Sequence, residues 1–250
     1  MGDHRDFELN EAGWWSYWAQ LEWVGTEGYI LYSNEFHEPL FNHAGVLLPN
    51  LDPKVFVLQV EEFYSGVGLP ASFMVEDSVD YHELNQTLSS KGYEKADTLS
   101  VMMLDGPLNR VNSDVRVLVA DRALADVWSE VYVSAFDEDP SLLGSVKRIV
   151  STAVGNPNVR LLLGVIGDTP CGVTALFTHN GYTGAYCVGT LRGQRRVGVA
   201  TTLLSYAARY AENLNTKLIL QTFTADNVEG FYKKLGFRKT YTKNVWVKHL

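Results

Sequence analysis

Along the second half of the chain the spacing of apolar residues changes period several times, and each change predicts an element. Ala200, Leu203, Leu204, Ala207, Ala208, Ala211 and Leu214 mark one face of a helix. Before it, β-rich runs predict strands over 115–120, 159–166, 171–177 and 185–190, with amphipathic helices over 123–136 and 142–154. After it come a strand over 217–223 and a short helix carrying Val228, Phe231 and Leu235, with Asn227 placed as its N-cap and Gly236 as its stop. A last strand covers 239–247. The first half predicts an aromatic helix over 11–23, where Trp14, Trp15, Trp18 and Leu21 follow helical spacing. Strands follow over 28–32 and 41–47, then a helix over 53–64 that stops at Gly66-Val67-Gly68. A strand over 71–75, a helix over 80–90 with Gly92 as its stop, and a strand over 98–104 complete that half.

Turn formers at Gly106-Pro107 and in the Asn, Ser and Asp residues up to 114 separate the two patterns. The division predicts domains at 1–107 and 112–250. Both end alike: helix, strand, helix, Gly-aromatic, strand, over about 54–104 and 198–247, with Gly92-Tyr93 and Gly236-Phe237 at equivalent points. The expected fold class is α/β (α+β) with a mixed central sheet, built as two copies of one fold of which the first is degenerate.

Composition changes this picture little. Hydrophobic residues are 46% and charged residues 20%, enough for a sizeable core. The net charge of −8 argues against a nucleic-acid partner, although Arg192, Arg195 and Arg196 form a local basic patch. No run of about 18 apolar residues occurs, and no apolar region follows the polar start, so no membrane span and a cytoplasmic location are expected. Cys171 and Cys187 have no metal-ligand spacing, so free thiols and no metal are expected. The oligomeric state is open, with a homodimer among the options.

The chemistry concentrates at Arg195-Arg196-Val197-Gly198-Val199-Ala200-Thr201-Thr202, between a strand and a long helix. Gly198 lets the backbone approach an anion, and the first helical turn offers unpaired N–H donors and the positive end of the helix dipole. Ala200 keeps the approach narrow, the threonines add hydroxyls, and the arginines add charge. The segment reads as a pyrophosphate cradle. It is neither a P-loop, since no G-x-x-x-x-G-K-[ST] occurs, nor a dinucleotide fingerprint, since Gly66-x-Gly68 lacks the third glycine.

Arg195-x-x-Gly198-x-Ala200 resembles the [QR]-x-x-G-x-[GA] acetyl-CoA motif of the GNAT superfamily of N-acyltransferases. The approach Val188-Gly189-Thr190-Leu191 resembles the strand before that motif. The block from Asn227 to Phe237 is similar to the family's N-x-x-A-x-x-[FY]-Y-x-K-x-G-F ending, with Gly230 where Ala is common. The likeness covers roughly 115–250. The first half resembles a cofactor-less GNAT-like domain through Phe41-Asn42-His43 and Gly92-Tyr93, and holds no copy of the acetyl-CoA motif.

The resemblance implies a set of roles. Backbone groups of Val188 and Thr190, around Gly189, pair with the pantetheine arm. Amides of Arg195, Arg196, Val197, Gly198, Val199, Ala200 and Thr201 hold the pyrophosphate. Asn227 contacts the pantetheine or adjacent backbone, and Tyr232 is the general acid for the leaving thiolate. The implied function is acetyl transfer from acetyl-CoA, as co-substrate, to a primary amine of a small molecule or peptide. The alternative is a non-catalytic acyl-CoA-binding sensor module. The general base is open among Glu130, Asp137, Glu138, His179, Asp226 and a water chain. A covalent route through Cys187 is a minor option.

Overall fold

The computed structural model describes residues 2–248. In chain order the elements are α1 (Gly2–Trp15), β1 (Gln20–Val24), β2 (Gly28–Tyr32), β3 (His43–Val46), α2 (Pro53–Val67), β4 (Ser72–Glu76), α3 (His82–Ser90) and β5 (Glu94–Leu104). They continue with β6 (Val115–Val119), α4 (Ala125–Phe136), α5 (Leu143–Ala153), β7 (Val159–Ile166), β8 (Thr169–His179) and β9 (Tyr182–Thr190). The last are α6 (Val199–Asn213), β10 (Lys217–Phe223), α7 (Glu229–Lys234) and β11 (Phe237–Val247). The expected order of helices and strands is present, with one clear exception at the start.

The exception is the aromatic helix. The predicted span 11–23 is instead the end of α1, a turn, and the edge strand β1. Trp14 and Trp15 lie in the last turn of α1, while Trp18 follows in a turn whose amide donates to Trp15 O at 2.9 Å. Trp14, Trp15, Trp18, Phe36 and Phe41 are all buried and pack edge-to-face or tilted, except for the stacked pair Trp18 and Phe41. Trp23 belongs to β1 and is half exposed. Indole size explains the misreading: side chains on a helix and on the turn after it reach one cluster, which mimics helical periodicity.

Contacts divide the chain into two compact units. One holds residues 1–102, 221–231 and 239–250; the other holds 103–220 and 232–238. This departs from the division at 1–107 and 112–250 in the C-terminal part. The physical reason is β11, which pairs antiparallel with β4 from Lys243↔Glu76 to Val247↔Ser72 and so packs with the first half.

In the first unit the strand order is β1-β2-β3-β4-β11-β5, with β1–β2, β2–β3 and β4–β11 antiparallel and β3–β4 parallel. Phe56, Val57, Val60 and Tyr64 of α2, with Leu84 and Leu88 of α3, pack on Ile30, Phe73 and Val75 of the sheet. α2 begins with Asp52 as N-cap, its carboxylate accepting from Lys54 N and Val55 N at 2.9 and 3.1 Å, and ends at Gly68 in the left-handed region. Asn42 and His43 do structural work here. Asn42 accepts from Ser33 N at 2.8 Å and donates to Phe36 O at 2.5 Å, and His43 Nδ1 donates to Pro39 O at 2.9 Å. Burial pushes His43 down to about 4, so it stays neutral at neutral pH.

In the second unit the order is β10-β9-β8-β7-β6, parallel only between β10 and β9. Trp128 of α4 is fully buried and donates to Leu162 O at 3.0 Å. Leu203, Leu204 and Ala207 of α6 are buried with Leu161, Leu163 and Val173 of the strands. Among the described residues no helix is long and apolar enough to cross a membrane. No group of His, Cys, Asp or Glu there could hold a metal ion.

Candidate active site

The site is built on β9, the loop after it and the first turn of α6, all in the second unit. β9 is irregular where the chemistry was expected. Gly189 pairs with Val173 and Tyr186 with Ala175, so Cys187 and Val188 both face Thr174 in a bulge. Cys187 takes φ +53°, the left-handed conformation that the bulge demands. On the other side of β9 the parallel register with β10 ends at Ala185↔Leu220, while β9 runs on to Thr190. The backbone of Val188 and Thr190 therefore lies past the last β9–β10 pair. The Thr190 hydroxyl is buried and makes no hydrogen bond among the described residues.

Gly189 has a different duty from its neighbours. A Cβ there would come within 2.7 Å of Phe136 and 3.1 Å of Ala135. Its missing side chain lets the end of α4 close onto β9. Sheet glycines do the same for α6: a Cβ on Gly172 would lie 2.5 Å from Val199 Cγ1, and one on Gly164 3.0 Å from the same atom. Val199 thus seats the first turn of α6 directly on β7 and β8.

The loop reaches α6 through two left-handed residues, Arg196 at φ +66° and Gly198 at φ +89°. Gly198 is the N-cap, and no side chain caps the helix. The first-turn N–H groups of Val199, Ala200 and Thr201 have no intrahelical acceptor by the geometry of any α-helix start, and no cap takes their place. An anion would satisfy them. The contrast with α2, whose start is filled by the Asp52 carboxylate, gives a physical reason for the missing motif in the first half.

The basic residues divide. Arg195 spends its guanidinium on the protein, donating to Thr190 O and to Ala135 O, each at 3.1 Å. It ties the end of β9 to the end of α4. Arg192 donates to Asp137 Oδ2 at 2.9 Å. Arg196 is exposed and makes no ion pair or hydrogen bond among the described residues. Val197 is exposed as well. Thr202 turns away from the cradle and accepts from Asn112 N at 2.9 Å, so of the two threonines only Thr201 keeps the expected freedom.

Tyr232 lies on α7 and is buried, with its ring edge-on to Phe237 at 6.0 Å. Asn227 falls in the first unit, exposed, at φ +53°, and Val228 rather than Asn227 immediately precedes α7. That backbone is not the extended one of an N-cap. Asn227 stands five residues before Tyr232, where the motif has seven.

The base candidates are mostly engaged elsewhere. Glu130 pairs with Lys147 at 2.9 Å, and Asp137 closes α4 while binding Arg192. Asp226 is held above the usual carboxylate range by partial burial, with the Asp97 charge adding to it.

Sequence reasoning missed Asn112, Gly164 and Gly172. The glycines carried a signal, since Gly inside an apolar strand marks close approach of another element. Asn112 carried none beyond a turn propensity.

Comparison with known proteins agrees with this architecture. The family model described as Acetyltransferase (GNAT) family matches residues 122–237. No curated protein matches the chain. Among solved structures, a GCN5-related N-acetyltransferase from Kribbella flavida is similar at 15% identity, covering 97% of this chain and 95% of its own, with a TM-score of 0.72. One from Sphaerobacter thermophilus is similar at 15% identity over 92% and 82%, TM-score 0.67. A tandem GNAT protein from the clavulanic acid biosynthesis pathway is similar at 15% identity over 88% and 81%, TM-score 0.60. These likenesses show the fold, a mixed α/β tandem GNAT arrangement.

Proposed function

We propose, from the match of residues 122–237 to the Acetyltransferase (GNAT) family model, that the chain transfers an acetyl group from acetyl-CoA to a primary amine of a small molecule or peptide. The observation that carries this reading is the open start of α6. Gly198 caps it without a side chain, Arg196 stands beside it with no partner among the described residues, and the bulged end of β9, unpaired on its β10 side, follows the same loop. Such a start accepts a pyrophosphate, and the β9 edge accepts an extended amide arm. The buried, unbonded Thr190 hydroxyl fits a polar ligand at that edge.

Acetyl-CoA would supply an activated acyl group on a thioester. The chain's own part is to bind, to orient and to move protons. In this reading a neutral amine attacks the carbonyl, and the tetrahedral adduct collapses with loss of the thiolate. Tyr232 donates its phenolic proton to that sulfur. One of the base candidates or a water chain takes the amine proton.

The test measures release of free thiol from acetyl-CoA with a panel of primary amines, beside calorimetric binding of acetyl-CoA to the whole chain. Binding with amine-dependent thiol release supports the proposal. Binding without release for any amine would leave the sensor reading. Tyr232→Phe keeps the ring and removes the proton, so kcat should fall by about 10²–10⁴-fold with acetyl-CoA affinity preserved. A Phe protein with the parent kcat removes Tyr232 from the chemistry.

A further inference from the structure

The strap between the two halves of the sequence is built into the cradle. Residues 104–115 belong to the second unit and touch both family motifs. At one end Asp105 N donates to Gly236 O at 3.0 Å, just after α7. Further along, Ser205 Oγ of α6 donates to Arg110 O at 2.6 Å. Asn112 then makes four bonds. Its amide donates to Thr202 Oγ1 at 2.9 Å, and its Nδ2 donates to Val197 O at 2.7 Å. Its Oδ1 accepts from Asp114 N at 2.9 Å, and its own carbonyl accepts from Val115 N at 3.1 Å.

The bond to Val197 O fixes a direction. The Val197–Gly198 peptide is trans, as are all peptide bonds among the described residues. In a planar trans peptide the C=O and the following N–H point opposite ways. With Val197 O held toward Asn112, the Gly198 N–H must point away from the strap, out of the far side of the loop. The constraint matters because the loop is soft at this place. Gly198 tolerates either orientation of the peptide before it, and Val197 is exposed. Asn112 also fills the space behind the loop, its Cβ lying 3.3 Å from where a Cβ on Gly198 would stand.

We propose that Asn112 is a positioning residue for phosphate recognition: by holding the Val197–Gly198 peptide it aims the Gly198 amide, with the first-turn amides of α6, at the pyrophosphate of acetyl-CoA. This rests on the acetyl-CoA reading above. Asn112 touches no ligand itself and acts through the backbone of the loop.

The test compares two probes on the whole chain by calorimetry: acetyl-CoA, and acetyl-pantetheine, which carries the thioester arm and no pyrophosphate. Asn112→Ala should weaken acetyl-CoA at least tenfold and leave acetyl-pantetheine within twofold. A general loss of structure would lower both, so equal losses overturn the proposal, as does unchanged acetyl-CoA affinity. Asn112→Ser keeps an oxygen to accept from Asp114 N–H and loses the longer amide arm that reaches Val197 O. It serves the same comparison if the alanine protein does not fold, with the same selective loss expected. A parent protein that binds no acetyl-CoA overturns the functional reading and this inference with it. A parent that binds, beside variants that bind equally, overturns the inference alone.

Discussion

Gly198 is the residue on which the cradle turns. Its φ of +89° is open to glycine and strained for any β-branched side chain, and an added Cβ would press on Asn112 at 3.3 Å. Gly198→Val should therefore tilt the loop off its strap and obstruct the approach of a phosphate. Calorimetry should show acetyl-CoA affinity down at least tenfold, about 1.4 kcal/mol, and an unchanged Kd would put the phosphate elsewhere. At the same scale the arginines teach a distinction. Arg195 matches the motif by letter, yet its guanidinium binds two main-chain carbonyls. Arg196 has no partner among the described residues, so in the proposed reading its charge is the one offered to the phosphates.

Among the elements, α6 is placed by what the strands lack. Val199 and Leu203 sit over Gly164 and Gly172, and any side chain on either glycine would lift the helix from β7 and β8. Gly172→Val would put a Cβ within 2.5 Å of Val199 Cγ1 and 2.9 Å of Gly189 O. Val199 is β-branched and stiff at χ1, and Gly189 O is backbone, so the helix start or the end of β9 must move. Overpacking of this kind costs about 1–3 kcal/mol. Urea unfolding should show that loss, and acetyl-CoA affinity should fall with it because both parts that can be displaced, the first turn of α6 and the end of β9, belong to the proposed site. A fully stable variant with parental affinity would show that the seat of α6 is not set here. The bulge in β9 follows the same logic: one extra residue bends the strand away from β10 and frees its edge.

At the scale of the molecule, the first compact unit is closed by the end of the chain. Lys243 of β11 is buried among α1 carboxylates, paired with Glu8 at 3.2 Å and with Glu11. Tyr241 and Tyr29 hydroxyls also donate to Glu8, at 2.8 and 3.2 Å. Burial works against the Lys243 charge, and the carboxylates of Glu11 and Glu8 outweigh it, holding the ammonium above its ordinary pKa. Lys243→Ala would strand two buried carboxylates without their cation. The expected loss is about 3–5 kcal/mol in denaturant unfolding, and a loss below about 1 kcal/mol would show that the cluster is neutralised another way.

Much of this protein was legible in its residues. Hydrophobic period placed nearly every strand and helix, because side chains that must face a core repeat with the backbone's own geometry. The open start of α6 at Gly198 was legible too, since a glycine before a helix start is a local demand on backbone conformation that appears as a local motif. The aromatic stretch misled because large rings reach one cluster from a helix and from the turn after it. The partition of the chain was also beyond the sequence, because pairing of β11 with β4 is a contact between distant segments that leaves no spacing to read. The duties of Arg195, Thr202 and Asn112 escaped for the same reason. Which donor meets which acceptor depends on where separate elements come to rest, and only the tertiary structure decides that.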